Sequence, residues 1–283
     1  MKLPFMIDLT GKTAVVTGGG GVLCSNFAKA LALCGANVAV LDLKLEAAEI
    51  VAAEINAAGG KAIGVTANCL EKKSMEEARE TVNKAFGKCD ILLNGAGGNH
   101  PKGTTTKEYF EMEDLDKSDI TSFFDLDYES IGFVLNLNFL GTLLPSQVFA
   151  KDMVGRDGCN IINISSMNSF KPLTKIPAYS AAKASVSNFT QWLAVHFSHV
   201  GIRVNAIAPG FFVTAQNYSL LFDENNNPTA RSKKILDHTP LGRFGEPEDL
   251  TGTLLWLLNN ESSSFITGVV VPVDGGFSAY SGV

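Results

Sequence analysis

Short apolar runs rich in β-branched residues alternate along this chain with longer segments of helical period. The apolar runs predict seven buried strands, at residues 13–17, 37–42, 61–66, 90–94, 160–165, 202–207 and 268–273. Helical spacing of apolar positions predicts helices at residues 23–34, 44–58, 72–86, 130–153, 177–199 and 247–259. Continuous apolar strands separated by amphipathic helices are typical of a parallel sheet covered on both faces. The pattern therefore predicts a doubly wound α/β fold, with a parallel seven-stranded sheet, in a single domain over residues 1–283.

Two segments interrupt this alternation. Residues 98–127 are rich in Thr, Asp, Glu and aromatic side chains, and residues 211–240 contain the polar run DENNNPTAR. Both follow the ends of predicted strands, which is where doubly wound sheets bind their ligands. We therefore expect both segments to be insertions that line or cover a pocket.

The composition narrows the classes of partner. The chain is 46% hydrophobic, enough for a large core, and its net charge of −6 comes without any basic cluster. Because nucleic acids and anionic membranes are recognised by basic clusters, neither is an expected partner. The N-terminal apolar stretch is too short for a secretory signal, and no run was expected to reach the roughly 20 apolar residues of a membrane span. A cytoplasmic protein with a small-molecule substrate is predicted.

The cysteines are scattered, without a C-x-x-C pair or a nearby set of histidines at metal-ligand spacing. This distribution predicts reduced thiols with mostly structural roles, and no metal site. The five residues are Cys24, Cys34, Cys69, Cys89 and Cys159.

A glycine-rich stretch, TGGGGVLCSNFAKAL at residues 17–31, joins the first predicted strand to the first predicted helix. Glycines let backbone approach a ligand closely, and the helix N-terminus offers free N–H groups and a positive dipole end. Four glycines can also form a strained turn and nothing more, but the position between strand and helix favours a site for a dinucleotide pyrophosphate. The predicted contacts are Gly18, Gly20, Gly21, Val22 and Leu23.

Asp42 ends the second predicted strand, where a dinucleotide site places an acidic residue on the adenosine ribose. A carboxylate there accepts hydrogen bonds from the ribose hydroxyls and repels a 2′-phosphate. NAD(H) is therefore favoured over NADP(H), and the glycine turn itself contains no Lys or Arg to bind that phosphate. Lys44 opposes this preference, because its side chain can reach round and offset the negative charge of Asp42.

Tyr179 and Lys183 stand four residues apart in a predicted helix, so their polar groups lie on one face. A nearby ammonium favours the phenolate form of a tyrosine, whose ordinary pKa is about 10, and so favours its use as a base. An isolated pair of this kind is more simply explained as part of a solvated helix face. The other motifs must decide between the two interpretations.

Taken in order, the motifs resemble those of the short-chain dehydrogenase/reductase family over essentially the whole chain. The resemblance implies a Rossmann-type fold with strand order 3-2-1-4-5-6-7, a nicotinamide cofactor, and a homotetramer or homodimer. Besides the residues above, the matching segments are NGAG (94–97), NFLGT (138–142), ISS (164–166), APG (208–210), PLGRFGEPEDL (240–250) and VDGG (273–276).

The resemblance also implies roles for individual residues. Asn138, Ser166, Tyr179 and Lys183 become a catalytic tetrad. Tyr179 exchanges a proton with the substrate oxygen, Lys183 stabilises the phenolate, Ser166 binds the same oxygen and Asn138 anchors a water. Ser165 is a rival for the role of Ser166. Implied cofactor contacts, besides Tyr179 and Lys183, are Asn68, Asn94, Gly95, Ala96, Pro209, Gly210 and Phe212.

Three features depart from the family pattern. Val22 and Cys24 stand where the family's glycine turn has glycines, and Cys24 adds a side chain where a helix should pack closely on a strand. Asn68 replaces a common Asp near the adenine, and NGAG replaces the commoner N-N-A-G. These departures motivate the alternative of a catalytically silent dinucleotide-binding regulator, which the intact tetrad disfavours.

The substrate must be inferred from the two inserted segments. Their polar side chains, together with Lys171 and Lys175, suggest a polyhydroxylated and anionic substrate. Several loop sequences, among them SSMNSFKPLTKIPAYSAAK, further resemble the D-mannonate oxidoreductase, or fructuronate reductase, subgroup. A gluconate or polyol dehydrogenase and an enzyme for hydrophobic ketones remain alternatives. The predicted substrate contacts are Asn99, His100, Lys102, Asn168 and Gln216.

Overall fold

The apolar runs form one parallel sheet in the computed structural model, which describes residues 1–214 and 217–282. The strand order β3-β2-β1-β4-β5-β6-β7 confirms the predicted doubly wound topology. Each predicted strand is present, with ends that differ by at most a few residues. The strands are β1 (Thr13–Thr17), β2 (Asn37–Asp42), β3 (Lys61–Thr66), β4 (Ile91–Asn94), β5 (Cys159–Ile164), β6 (Ile202–Pro209) and β7 (Val270–Val273).

Helices cover both faces of the sheet, because alternate residues of each buried strand point to opposite sides. Val15 belongs to the apolar cluster on one face, and its neighbour Val16 to the cluster on the other. Both side chains are fully buried. The helices are α1 (Val22–Leu33), α2 (Leu45–Ala57), α3 (Lys72–Phe86), α4 (Tyr128–Leu135), α5 (Gly141–Met153), α6 (Pro177–His196), α7 (Tyr218–Leu221), α8 (Ala230–Asp237), α9 (Thr251–Leu258) and α10 (Asn260–Ser263).

The predicted helix at residues 130–153 is the least regular of the long helices. It starts earlier, at Tyr128, because the side chain of Asp127 caps it by accepting the backbone N–H of Ser130 at 2.8 Å. Between α4 and α5 the chain takes a π-helical turn at Asn136–Leu140. Such a turn widens the helix locally and is frequent at functional sites.

The same helical stretch, Tyr128–Met153, is long and apolar enough by length and composition to cross a membrane. This differs from the expectation that no run approaches the roughly 20 apolar residues of a membrane span. Half of its most apolar window is buried inside the fold, as in a core helix that packs on a sheet.

The segment at residues 211–240 is more helical than its polar composition suggested, since it contains α7 and α8. The side chain of Thr229 caps α8 by accepting the backbone N–H of Ser232 at 3.2 Å. Helix α8 is therefore a defined element beside the carboxyl end of β6, and it can hold side chains in fixed positions there.

The segment at residues 98–127 folds into short 3₁₀ turns around one buried carboxylate. Asp114 is 2% exposed and accepts hydrogen bonds from the ammonium groups of Lys107 and Lys117, at 2.7 and 3.2 Å, and from the backbone N–H of Glu111 at 3.0 Å. The hydrogen bond from Lys107 is the main cause of a pKa for Asp114 of about 2. This carboxylate holds the segment in shape, while Met112 and Tyr109 face outward.

Candidate active site

The glycine turn lies where the strand order reverses between β1 and β4, the usual ligand crevice of a doubly wound sheet. Gly18 has a φ of 62°, and a β-carbon on it would lie 2.9 Å from the Cα of Ala96. A β-carbon on Gly20 would lie 3.0 Å from Oδ2 of Asp42. Only glycine fits these two positions without displacing backbone or the carboxylate, so a bare strip of backbone lines the crevice.

Asp42 holds this turn in place. Its carboxylate accepts the backbone N–H of Gly20 and the backbone N–H of Lys44, both at 3.1 Å. The side chain is half-buried, so it keeps lone pairs for a ligand in the crevice. Asp42 therefore supports the loop and remains partly open to the crevice.

Cys24 and Gly95, two departures from the family pattern, meet in the structure. A β-carbon on Gly95 would lie only 2.1 Å from Sγ of Cys24, so the thiol occupies the space that a side chain at residue 95 would need. Cys24 is 6% exposed, and burial raises the pKa of its thiol to about 12. The thiol is therefore a packing group at this position, and each departure compensates for the other.

Asn138 lies in the π-helical turn and is fully buried. Its Nδ2 donates to the carbonyl oxygens of Gly98 and Val134, both at 2.8 Å, and its Oδ1 accepts the N–H of Gly98 at 3.3 Å. Both Nδ2 hydrogens are thus used by backbone. Any water held by this residue must donate to Oδ1 or to the backbone carbonyl.

Gly97 brings Asn138 close to Lys183. A β-carbon on Gly97 would lie 2.6 Å from Oδ1 of Asn138 and 3.2 Å from Nζ of Lys183. Lys183 is 4% exposed and donates to the carbonyl oxygen of Ile164 at 2.8 Å. Burial lowers the pKa of its ammonium to about 8. Lys183 is therefore a cation whose charge changes near physiological pH.

Tyr179 lies beside Lys183, whose Nζ is 5.7 Å from the centre of the phenol ring. Burial raises the pKa of Tyr179 above its ordinary value, and the hydroxyl of Ser166 partly opposes this shift. The free protein thus holds Tyr179 as a neutral phenol that can donate a proton. Tyr179, Ser166 and Lys183 therefore converge at the carboxyl end of β5, and Asn138 lies near Lys183.

Ser166, rather than its rival Ser165, is available to a substrate. The Ser166 hydroxyl accepts the backbone N–H of Asn168 at 3.3 Å and lies beside the phenol of Tyr179. The Ser165 hydroxyl is committed to the carbonyl oxygen of Lys183 at 3.2 Å and to the hydroxyl of Ser187 at 2.7 Å. Ser165 therefore fixes α6 to the sheet.

The activity of the site should depend on pH through Lys183. We expect kcat/KM for ketone reduction to fall as pH rises through about 8, because Lys183 then loses the charge that stabilises the phenolate left by proton donation. Tyr179 titrates above about 10, so it does not cause this limb. A pH–rate profile checks the expectation. Lys183→Arg, which keeps its charge, should move the limb to higher pH, and a wild-type profile that stays flat to about pH 10 would contradict it.

The remaining predicted cofactor contacts lie around the same crevice, but their side chains point in different directions. The amide of Asn94 donates to Ser146 and Asn163, both at 2.9 Å, so its side chain points into the fold. Asn68 caps the turn before α3 by accepting the N–H of Leu70 at 3.0 Å. At the crevice itself, or at the end of β6 beside it, lie Val22, Leu23, Gly95, Ala96, Pro209, Gly210 and Phe212.

The predicted substrate contacts do not all lie together. Asn99 donates to Thr104 at 3.1 Å, His100 accepts the N–H of Lys102 at 3.3 Å, and the side chain of Lys102 is exposed. Asn168 is 4% exposed, and its Oδ1 has no hydrogen-bond partner within the described part of the chain. Gln216 lies outside the described residues.

Sequence reasoning missed a group of charged residues on α8. A cavity of about 370 Å³ separates α8 from the loop that precedes α6. The signal was present in the sequence, because residues 231, 234 and 238 share one face of a helix. Side chains that line the cavity include Glu108, Lys175, Phe211, Arg231, Lys234 and His238. Among residues 1–214 and 217–282 no cluster of His, Cys, Asp or Glu is arranged to hold a metal.

The sequence of this chain is similar to those of known oxidoreductases. The family model for short chain dehydrogenases matches residues 12–225. An oxidoreductase of Haemophilus influenzae without an assigned substrate is 61% identical over 276 residues, which cover 98% of this chain and 96% of that protein. The 2-dehydro-3-deoxy-D-gluconate 5-dehydrogenase of Escherichia coli is 32% identical over 273 residues, which cover 96% of this chain and 97% of that enzyme.

A solved structure is also similar to this chain in fold and sequence. It is a Haemophilus influenzae protein, named provisionally as a D-mannonate oxidoreductase and crystallised with bound NAD. It matches with a TM-score of 0.94 and 61% identity, over 98% of this chain and 98% of that chain. From the family model, the identities and the shared fold, this chain belongs to the short-chain dehydrogenase/reductase family and is an alcohol dehydrogenase or ketone reductase of that type.

Proposed function

We propose that this enzyme uses NAD(H) to interconvert a secondary alcohol and a ketone of a sugar acid, with D-mannonate and D-fructuronate as the pair. The observation that carries the proposal is the convergence of Ser166, Tyr179 and Lys183 beside a glycine turn whose support is the carboxylate of Asp42. The assembly we propose is a homotetramer or homodimer, as the family resemblance implies. The proposed location is the cytoplasm, as the short N-terminal apolar stretch suggests.

The residues present fit NAD. A β-carbon would lie 2.9 Å from Cα of Ala96 at Gly18 and 2.6 Å from Cβ of Ala47 at Gly20, so both positions offer bare backbone at the helix N-terminus, which suits a pyrophosphate. Asp42 has lone pairs left for the ribose hydroxyls after accepting the N–H groups of Gly20 and Lys44. The same negative charge repels a 2′-phosphate, which supports NAD(H) over NADP(H).

Each catalytic residue has a separate role in the proposed reaction. Bound NADH supplies a hydride to the ketone carbon, and bound NAD⁺ accepts one in the reverse direction. Tyr179 donates its phenol proton to the ketone oxygen, while Ser166 donates a hydrogen bond to the same atom. Lys183 stabilises the phenolate that remains. Because burial keeps Tyr179 protonated in the free protein, its resting state suits the reductive direction.

The substrate class rests on two relatives and on the polar insertions. The Haemophilus influenzae protein is provisionally a D-mannonate oxidoreductase, and the Escherichia coli relative is a dehydrogenase of 2-dehydro-3-deoxy-D-gluconate. Both names denote enzymes of sugar acids. The side chains of residues 98–127 and 211–240 add the hydrogen-bonding groups that a polyhydroxylated substrate needs when it leaves water.

The proposal is tested by following NADH absorbance with D-fructuronate, 5-keto-gluconate, fructose and an apolar ketone, each repeated with NADPH. Rapid NADH consumption with D-fructuronate, and much slower reaction with the other ketones, is the expected result. Preference for 5-keto-gluconate or for the apolar ketone would replace the proposed substrate. NADH binding without turnover in any well would overturn the proposed activity.

Asp42→Asn should change the cofactor preference. We expect the KM for NADH to rise about tenfold, because hydrogen bonds to a charged acceptor are lost, and the KM for NADPH to fall. Steady-state kinetics with both cofactors measure the ratio. Lys44→Ala is the matched control, since it keeps the backbone N–H bonded to Asp42 and should only weaken NADPH. An unchanged ratio in Asp42→Asn would contradict the role of this carboxylate.

A further inference from the structure

The cavity beside α8 is built from three parts of the chain that the sequence places far apart. Glu108 comes from the segment 98–127, Lys175 from the loop before α6, and Arg231 from α8. Its volume of about 370 Å³ falls within the range of small-molecule sites. Phe211, which also lines it, directly follows the predicted cofactor contact Gly210. The cavity lining is therefore continuous along the chain with the predicted cofactor contact Gly210.

The charge of this cavity is opposite to that of the whole protein. The chain carries a net charge of −6, yet the ionised lining groups are the cations Lys175, Arg231 and Lys234 and the single anion Glu108. Lys234 forms an ion pair with Glu108. Within the described residues Lys175 and Arg231 form no ion pair, so two positive charges face the cavity without an internal partner.

Lys175 and Arg231 both affect the pKa of Glu108. The pKa of this carboxyl is lowered mainly by the hydrogen bond from Lys234, and further by the charges of Lys175 and Arg231. Their positive potential therefore extends into the cavity and favours an anion there.

Lys175 occupies an unusual backbone conformation. Its φ is 71°, in the left-handed region that glycine or asparagine adopts more easily. The carbonyl of Lys175 accepts the backbone N–H of Thr105 at 2.9 Å, which ties the loop to the segment 98–127. Non-glycine residues in this conformation are concentrated at ligand sites. The conformation fixes a lysine four positions before Tyr179, with its side chain on the cavity wall.

Helix α8 presents Arg231 to the cavity from the side opposite Lys175. Arg231, Lys234 and His238 follow one face of the helix and line the cavity, whereas Lys233 is exposed and does not line it. A guanidinium binds a carboxylate through two parallel N–H donors, which a single ammonium cannot do. Arg231 and Lys175 therefore combine a directional hydrogen-bond donor with a point charge.

We propose that Lys175 and Arg231 form the subsite that binds the carboxylate of the sugar acid. The inference rests on the proposed function for the identity of that acid. In D-fructuronate the ketone and the carboxylate lie toward opposite ends of the carbon chain. Lys175 and Arg231 line the cavity, whereas Tyr179 and Ser166 lie outside its lining, so the cations and the proton donor would contact different ends of the bound acid. The ion pair between Lys234 and Glu108 holds α8 against the segment 98–127 at the edge of the cavity.

Calorimetric titration of the protein with NADH present tests the subsite. The ligands are D-mannonate and its neutral counterpart D-mannitol, and the proteins are wild type, Lys175→Gln, Arg231→Gln and Lys233→Gln. We expect Kd for D-mannonate to rise at least about tenfold in each of the first two variants and to stay unchanged in the Lys233→Gln control. Affinity for D-mannitol should not change in any variant. Arg231 is exposed on a surface helix, so its replacement should not impair folding.

The outcomes separate this inference from the proposed function. If D-mannonate binding is unaffected in both variants, or if D-mannitol binding weakens equally, the subsite is wrong, even where D-fructuronate is reduced by the wild type. If D-fructuronate is not reduced, but binding of D-gluconate, titrated in the same way, depends on Lys175 and Arg231, the proposed substrate is wrong and the subsite stands. A wild type that binds no sugar acid overturns both.

Discussion

Replacing Tyr179 with phenylalanine is expected to lower kcat by about 10²- to 10⁴-fold, the usual contribution of a positioned general acid or base. The ring fills the same space in the variant, so packing beside Lys183 is kept and only the proton donor is lost. The reduction of D-fructuronate by NADH provides the measurement. The rate is the quantity that should change, since the phenol acts on the transition state more than on binding.

Two comparisons make this result specific. NADH binding to Tyr179→Phe, followed by fluorescence, should remain close to that of the wild type because the glycine turn and Asp42 are unaffected. Ser165→Ala is the matched control for a hydroxyl near the site, because the Ser165 hydroxyl bonds to the carbonyl oxygen of Lys183 and to the hydroxyl of Ser187, and the variant should retain most activity. If Tyr179→Phe turns over D-fructuronate at the wild-type rate, the assignment of the proton donor is wrong.

Gly95→Ala is expected to destabilise the protein by about 1–3 kcal/mol, the usual cost of adding volume to a packed interior. The new methyl group would lie 2.1 Å from Sγ of Cys24 and 3.0 Å from the carbonyl oxygen of Thr17. A shift of α1 to relieve this contact would also displace the glycine turn, so NADH affinity should fall as well. Urea unfolding and NADH titration measure the two effects.

The double variant Cys24→Ala with Gly95→Ala provides the control. Removing the thiol frees the space that the methyl group needs, so the pair should be more stable than Gly95→Ala alone. The cost of Gly95→Ala measured in the Cys24→Ala background should be smaller than in the wild type. Equal costs in both backgrounds would show that the contact does not govern this position.

The sheet could be predicted from sequence because its strands are buried on both faces. A segment such as TAVVT at residues 13–17 contains only residues that fit the interior, and such runs have few alternatives to a central strand. Helix ends were less predictable, because they depend on single side chains. Asp127 moves the start of α4 to Tyr128, and the period of apolar residues does not register that cap.

The candidate site was predicted where its residues follow fixed spacings and missed where distant segments meet. Tyr179 and Lys183 are neighbours on one helix, so their spacing was sufficient. Cys24 and Gly95 each departed from the family pattern, and only the fold shows that the two departures occupy one space. The doubt that Cys24 cast on the cofactor turn is thereby reduced.

Arg231 was missed for a related reason. Its sequence surroundings are polar, and the helix that orients it was expected as part of an irregular segment. Its partner on the cavity wall, Lys175, comes from a different loop. Contacts between residues far apart in sequence depend on the complete topology, which a single sequence expresses only through its average patterns.

The ion pair between Glu108 and Lys234 joins the two inserted segments, and its chemistry governs how readily they separate. Association with Lys234 lowers the pKa of Glu108, and association with Glu108 raises the pKa of Lys234, so both stay charged across ordinary pH. The pair is partly exposed, with side chains 57% and 29% accessible, and exposed pairs are weak and screened by salt. Ionic strength, rather than acidity, should therefore change the strength of this link between the two segments.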